Sequence, residues 1–236
     1  MAPSARAVIL YGSRARGDHR PDSDTDVLQI LRESRSSHSV DEIALSCYTL
    51  PQLQKMARHG SLFVAHLIAE SVPLRDPEDL LGQIRAAYVA APLSHFVTEV
   101  SWAARLLTDS ANLFGTRRLK YPRLAVHLAR TLVYATAQSH GVTTFSVPAI
   151  WKHFEPDWGK PLPRPDQMDW HRYLEVRSWL QERLHLDIAN EYGSDEALIV
   201  HSWGGSRLCV ALGLRLLHEG DVLPAYEDTD LWGEMW

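Results

Sequence analysis

The sequence predicts an α+β protein: a small mixed sheet, largely antiparallel, with flanking helices, followed by a C-terminal helical bundle. Three observations carry this prediction. Three short apolar, β-branched runs follow one another near the N-terminus, the hydrophobic period becomes helical past about residue 100, and all eight Trp lie in that second part. At 236 residues, 45% hydrophobic and 22% charged, the chain has ordinary globular composition, which excludes disordered and collagen-like classes. Cys47 and Cys209 stand far apart, so neither a disulfide framework nor a zinc site is expected, which fits a reducing cytoplasm. No run approaches the roughly 18 apolar residues of a membrane span, and the N-terminal apolar run is shorter than the roughly 7–15 residues of a secretory signal. A soluble cytoplasmic protein with no membrane role is expected.

The elements follow in order. Ala7-Val8-Ile9-Leu10-Tyr11 is a β-branched run ended by Gly12, and Asp26 to Leu31 is a second strand after the turn-rich stretch from Asp18 to Ser23. Ile43 to Tyr48 is a third strand, reached through the polar link Arg32 to Ser39 and expected to form a hairpin with the second. Thr49-Leu50-Pro51 opens a helix, with a Thr cap and an early Pro. Phe63, Val64, Leu67 and Ile68 continue another helix up to the break between Pro73 and Pro77. Beyond Ala91-Pro92, helical stripes run through Phe96, Val100, Ala103, Ala104 and Leu107; through Leu124, Leu128, Leu132 and Ala135; through Trp170, Leu174, Trp179 and Leu184; and through Leu208, Ala211, Leu212 and Leu216. Two domains are expected, 1–91 and 92–236, the second including a Pro-rich loop from Pro156 to Pro165 and an acidic C-terminal tail.

Charge is unevenly spread. The formal charge is −5, yet six acidic residues and no basic ones lie from Glu219 to Trp236, leaving 23 acidic against 24 basic residues elsewhere. From Ser110 to Phe154 there is no Asp or Glu, while Arg117, Arg118, Lys120, Arg123, Arg130 and Lys152 are all basic. Local fields steer ligands and whole-chain charge does not, so a polyanion such as a nucleotide remains an acceptable ligand.

The chemistry is concentrated in Gly12-Ser13-Arg14-Ala15-Arg16-Gly17 and Ser23-Asp24-Thr25-Asp26. At i and i+2 of a strand, Asp24 and Asp26 project to one side, about 6.6–7 Å apart along the chain. That spacing suits carboxylates bracketing Mg²⁺ ions, which take one or two carboxylates plus substrate phosphates, two such ions sitting about 3.5–4 Å apart. A Gly-Ser turn directly after a strand lets a phosphate approach the backbone of Gly12, presents free N–H groups and adds the Ser13 hydroxyl. Arg16, one turn on, is placed to pair with phosphate or with a nearby aspartate.

This combination, Gly-Ser-x-x-x-Gly followed by Ser-Asp-x-Asp and an apolar residue (Gly12, Ser13, Gly17, Ser23, Asp24, Asp26, Val27), resembles the nucleotidyltransferase superfamily related to DNA polymerase β, in its small bacterial branch. The resemblance covers about the first 90 residues. It implies that Gly12, Ser13, Arg16 and Ser23 help hold a nucleoside triphosphate, with ATP the expected donor. Asp24 and Asp26 would be catalytic and bind Mg²⁺, with two ions expected, and a nucleotidyl group would pass to an acceptor with release of pyrophosphate. The helical second half also looks like that of the aminoglycoside nucleotidyltransferases, where it helps bind the acceptor. The acceptor is a small molecule, a protein side chain or an RNA end. Many relatives carry a third carboxylate on a neighbouring strand. In the expected hairpin Asp26 faces Ser46, with Ala44 and Tyr48 beside it, and Asp41 and Glu42 fall near the turn, away from the metals.

Further along, Arg123, His127 and Arg130 share one face of a helix whose other face is Leu124, Leu128 and Leu132. That face either meets the triphosphate or is simply solvated. Trp151 and Trp203 belong either to the core or to a ligand cleft. Alongside the enzyme reading stand two others: an antitoxin of the HEPN/MNT type that modifies or binds a toxin partner, and a nucleotide-binding module without catalysis. A homodimer or a toxin is the expected protein partner.

Overall fold

The computed structural model of the chain describes residues 5–21, 23–154 and 162–218. The acidic tail and most of the expected Pro-rich loop lie outside these residues. The fold class is α+β. The described residues fall into two compact units: those up to Ala91 together with Gly141–Ile150, and Pro92–His140 together with those from Trp151 on.

In the first unit the elements are β1 (Ala7–Tyr11), α1 (Gly12–Arg16), β2 (Thr25–Leu31), β3 (His38–Val40), β4 (Ile43–Thr49), α2 (Leu50–Arg58), α3 (Leu62–Glu70), β5 (Val72–Arg75) and α4 (Leu80–Ala87). The five strands lie in the order β3-β4-β2-β1-β5. Alternation sets the central pairing: Ala7, Ile9 and Tyr11 are buried on β1, and Ile9 and Ala7 stand opposite buried Leu28 and Ile30 of β2. Slipping by one residue would turn this row out of the core, so the register is strongly specified. Leu53 and Met56 of α2, Phe63 and Leu67 of α3, and Leu80 and Ile84 of α4 cover the row.

Local signals set the helix ends. Thr49 Oγ1 accepts the Gln52 N–H at 3.4 Å and the Thr49 N–H donates to Gln52 Oε1 at 2.8 Å, a reciprocal cap. At the other end, Gly60 has a φ of 72°, its N–H reaches Ala57 O, and the Ser61 N–H reaches Met56 O. That left-handed cap stops α2. Gly60-Ser61 is therefore a helix boundary, with Ser61 capping α3 through the Val64 N–H.

Two short strands were not evident in the sequence. The polar link contains β3, and the Pro73 break contains β5, an exposed edge strand where a proline does not interrupt a central ladder. The expected hairpin of the second and third strands is replaced by a parallel pair. β3 makes the hairpin with β4, so β4 arrives running in the same direction as β2.

The second unit is helical: α5 (Leu93–Ala104), α6 (Ala111–Thr116), α7 (Lys120–Ser139), the end of α8 (Val147–His153), α9 (Trp170–Leu184), α10 (Asp195–Ser202) and α11 (Arg207–Leu217). Val100, Ala104, Leu124, Leu128, Leu132, Leu212 and Leu216 share its core. On α9 the buried row is Tyr173, Val176, Leu180 and Leu184, while Trp170, Leu174 and Trp179 pack at the rim. Full burial suits Trp poorly because of its size and its N–H donor. Lys120 opens α7 and is buried, and its ammonium donates to Leu216 O at 3.2 Å and to His218 O, satisfying carbonyls at the end of α11. No helix among the described residues is long and apolar enough to cross a membrane.

Candidate active site

The site begins where β1 hands over to α1. Gly12 and Gly17 both take left-handed backbone, with φ of 74° and 78°, and between them the chain makes one helical turn. The Asp18 N–H closes that turn on Ser13 O at 3.1 Å. Because β1 and β2 are antiparallel with Tyr11 opposite Asp26, the turn leaving β1 meets the start of β2. A Cβ on Gly12 would run into Asp26 Oδ2 and lie 3.1 Å from Cγ, so only glycine lets this carboxylate rest on the turn's backbone. Asp26 continues the row of Leu28 and Ile30 past the edge of the core and is half-buried, while Asp24, just before β2, is exposed.

Neighbouring contacts brace this corner. Tyr11 bonds Ser46 on β4 through their hydroxyls at 2.9 Å, across β2, and lies edge-on to Phe63 and His66 of α3. Arg14 Nη2 donates to Ser23 O at 2.8 Å, and Ser23 Oγ accepts the Arg20 N–H at 2.9 Å, which holds the loop that enters Asp24. Arg16 donates through Nε to Asp18 at 3.0 Å and through Nη1 to Glu70 at 2.7 Å. Sequence reasoning singled out neither Arg14 nor Glu70. Glu70 lies 54 residues beyond Arg16, so no local pattern points to the pair.

Parallel pairing changes the expected neighbours of the aspartates. Ala44, not Ser46, is the register partner of Asp26, and the Thr25 N–H donates to Glu42 O at 2.7 Å. Glu42 thus lies in the turn between β3 and β4, as expected, but that turn is bonded to the start of β2 rather than being remote from it. Among the described residues, no group of three or more His, Cys, Asp or Glu is placed to hold a metal ion.

The remaining expected residues lie in the helical unit. On α7 Arg123 is half-buried and Arg130 exposed. Between them His127 is pushed down to a pKa of about 4 by burial and by the charges of Arg215 and Arg130, so it is a neutral imidazole at neutral pH. Trp151 is buried against Trp179 at 5.6 Å, whereas Trp203 is 59% exposed. This unit also holds a cavity of about 510 Å³ lined in part by Arg105, Arg117, Tyr121, Asn190 and Asp195. There Arg117 Nη1 lies 3.3 Å from Asp195 Oδ2, and burial raises the Asp195 carboxyl above its ordinary value.

A Gly-Ser turn lying against a strand carboxylate, with a second carboxylate two residues before it, is an arrangement for phosphate and divalent cation together. Residues 3–61 match the family model of the nucleotidyltransferase domain. That match is consistent with the nucleotidyltransferase superfamily related to DNA polymerase β. No curated protein matches the chain.

Proposed function

We propose that the protein is a Mg²⁺-dependent nucleotidyltransferase that moves AMP from ATP to an acceptor hydroxyl and releases pyrophosphate. The observation that carries this reading is the Asp26 carboxylate resting on the backbone of Gly12. It puts a hard oxygen ligand beside the N–H groups that receive a phosphate.

The donor set fits the cation. Mg²⁺ keeps waters and is typically bound by one or two carboxylates plus substrate phosphates, so Asp24 and Asp26 suffice without a protein cage. Bound there, Mg²⁺ supplies charge stabilisation for the attacking and leaving oxygens of an in-line displacement. The chain's own groups do the placing. Gly12 leaves room for the Asp26 carboxylate, Ser13 adds a hydroxyl donor, Arg14 holds Ser23 just ahead of Asp24, and β2 presents Asp26. Glu42, in the turn that leads into β4 and bonded through its carbonyl to the Thr25 N–H, is a further carboxylate at this end of the sheet for accepting a proton.

The helical unit is the acceptor-binding domain in this reading, and Arg123 and Arg130 give it positive charge. Its cavity offers a carboxylate, an amide, a phenol and guanidinium groups to a small polar acceptor. Buried free thiols at Cys47 and Cys209 suit a cytoplasmic setting.

Labelled ATP, Mg²⁺ and candidate acceptors should yield pyrophosphate with the wild-type chain, and Asp26→Asn should abolish it. Turnover that survives this substitution refutes the two-aspartate mechanism. ATP that binds with Mg²⁺ but never turns over with any acceptor points instead to a nucleotide-binding module.

A further inference from the structure

Glu70 ends α3, and its side chain is only 7% exposed. A buried carboxylate is strongly unfavourable unless paired and hydrogen-bonded. Here the partners come from three separate stretches of the first unit. Oε2 lies 2.7 Å from Arg16 Nη1 and 3.1 Å from His66 Nε2. Oε1 accepts the Thr144 hydroxyl at 2.8 Å and the Phe145 N–H at 2.6 Å. Burial alone would raise this carboxyl, but bonds from His66, the Phe145 amide, Arg16 and Thr144 outweigh it and bring the pKa to about 2.

The same groups reach both ends of the Gly12–Gly17 turn. The Phe145 ring stacks on His66 with centroids 4.8 Å apart, and His66 lies edge-on to Tyr11, the residue before Gly12. At the far end Arg16 is the last helical residue before Gly17. Its Nε is held by Asp18 and its Nη1 by Glu70, while Nη2 has no partner among the described residues. A guanidinium fixed at two of its nitrogens loses little further freedom when a phosphate oxygen takes the third.

We propose that Glu70 is a positioning residue of the nucleotide site: through Arg16 it holds the Gly12–Gly17 turn in its phosphate-binding conformation, and it makes that conformation depend on Thr144 and Phe145. The inference rests on the nucleotidyltransferase reading above and adds to it a residue that touches neither nucleotide nor metal. Residues 141–150, which run from the end of α7 into α8, thereby become part of the support of a site formed by the first 26 residues.

The test uses the full chain and two variants, Glu70→Gln and the milder Thr144→Val. Glutamine keeps an acceptor for Thr144 and the Phe145 N–H but removes the charge that holds Arg16. Losing a charge-assisted hydrogen bond shifts an equilibrium by roughly tenfold to a hundredfold. Without nucleotide, amide exchange across residues 12–17 should therefore accelerate about tenfold or more in Glu70→Gln and less in Thr144→Val, with β2 unchanged. Affinity for a non-hydrolysable ATP analogue with Mg²⁺ should weaken in the same order, and in turnover KM should rise more than kcat falls. Unchanged exchange at 12–17, or equal acceleration in β2, overturns the proposal, the latter because it reports plain destabilisation. Analogue binding by wild type with undiminished affinity in Glu70→Gln overturns this proposal alone. A wild-type chain that ignores the analogue overturns the nucleotide reading as well.

Discussion

The contact between Gly12 and Asp26 can be tested without any substrate. Gly12→Ala places a methyl group where φ is 74° and where Asp26 Oδ2 already stands. Left-handed backbone disfavours alanine by about 1–2 kcal/mol, and forcing a methyl into occupied space adds about 1–3 kcal/mol. The single substitution should therefore destabilise the first unit by about 2–5 kcal/mol. In an Asp26→Ala background the carboxylate is gone and only Asp26 Cβ, at 3.4 Å, remains near the new methyl. There the backbone contribution alone should persist, about 1–2 kcal/mol, so the cycle should show a coupling of about 1–3 kcal/mol. No Trp lies in β1 or β2, so urea unfolding should be read at the amides of these strands by hydrogen exchange. Additive effects, or a neutral Gly12→Ala, would show that the carboxylate does not rest on the turn. Because misplacing a reacting group by about 1 Å costs roughly a hundredfold, Gly12→Ala should also lower pyrophosphate release by about that factor.

Other consequences follow from the same structure. His127 has a folded pKa of about 4, below its unfolded value near 6.5, so the unfolded chain binds more protons between these limits. Stability of the helical unit should be complete above pH 6.5 and fall by about 2–3 kcal/mol toward pH 4, and His127→Gln should flatten that limb of a Trp-monitored denaturation series. Glu70 titrates lower but in the same sense: its contribution is present above about pH 4.5 and lost toward pH 2. Thr49→Ala removes one side of the cap on α2 and should cost about 1 kcal/mol, with earlier exchange in the first turn of that helix as the readout.

Much of the first unit was legible because its signals are local. A period of two with β-branched residues marked β1, β2 and β4 almost to their ends, and Thr49 with an early Pro marked the start of α2. β3 and β5 were missed because three or four residues at a sheet edge carry too little hydrophobic alternation to be told from loop. On α9 the period was right but the face was shifted, since large Trp side chains pack at a rim where smaller residues fill the centre.

By itself, the sequence determined the α+β class, the Gly-Ser turn after a strand and the pair of aspartates at i and i+2. These depend on periodicity and on the backbone freedom of glycine, which neighbouring residues settle. Tertiary structure alone decided that β4 runs parallel to β2, that Ala44 rather than Ser46 faces Asp26, and that Arg16 is held by Glu70. Strand direction depends on how a polar link crosses the sheet, and a buried ion pair on two charges brought together from distant points of the chain. Neither leaves a pattern in adjacent residues, because the energy that fixes them arises only when the core has formed.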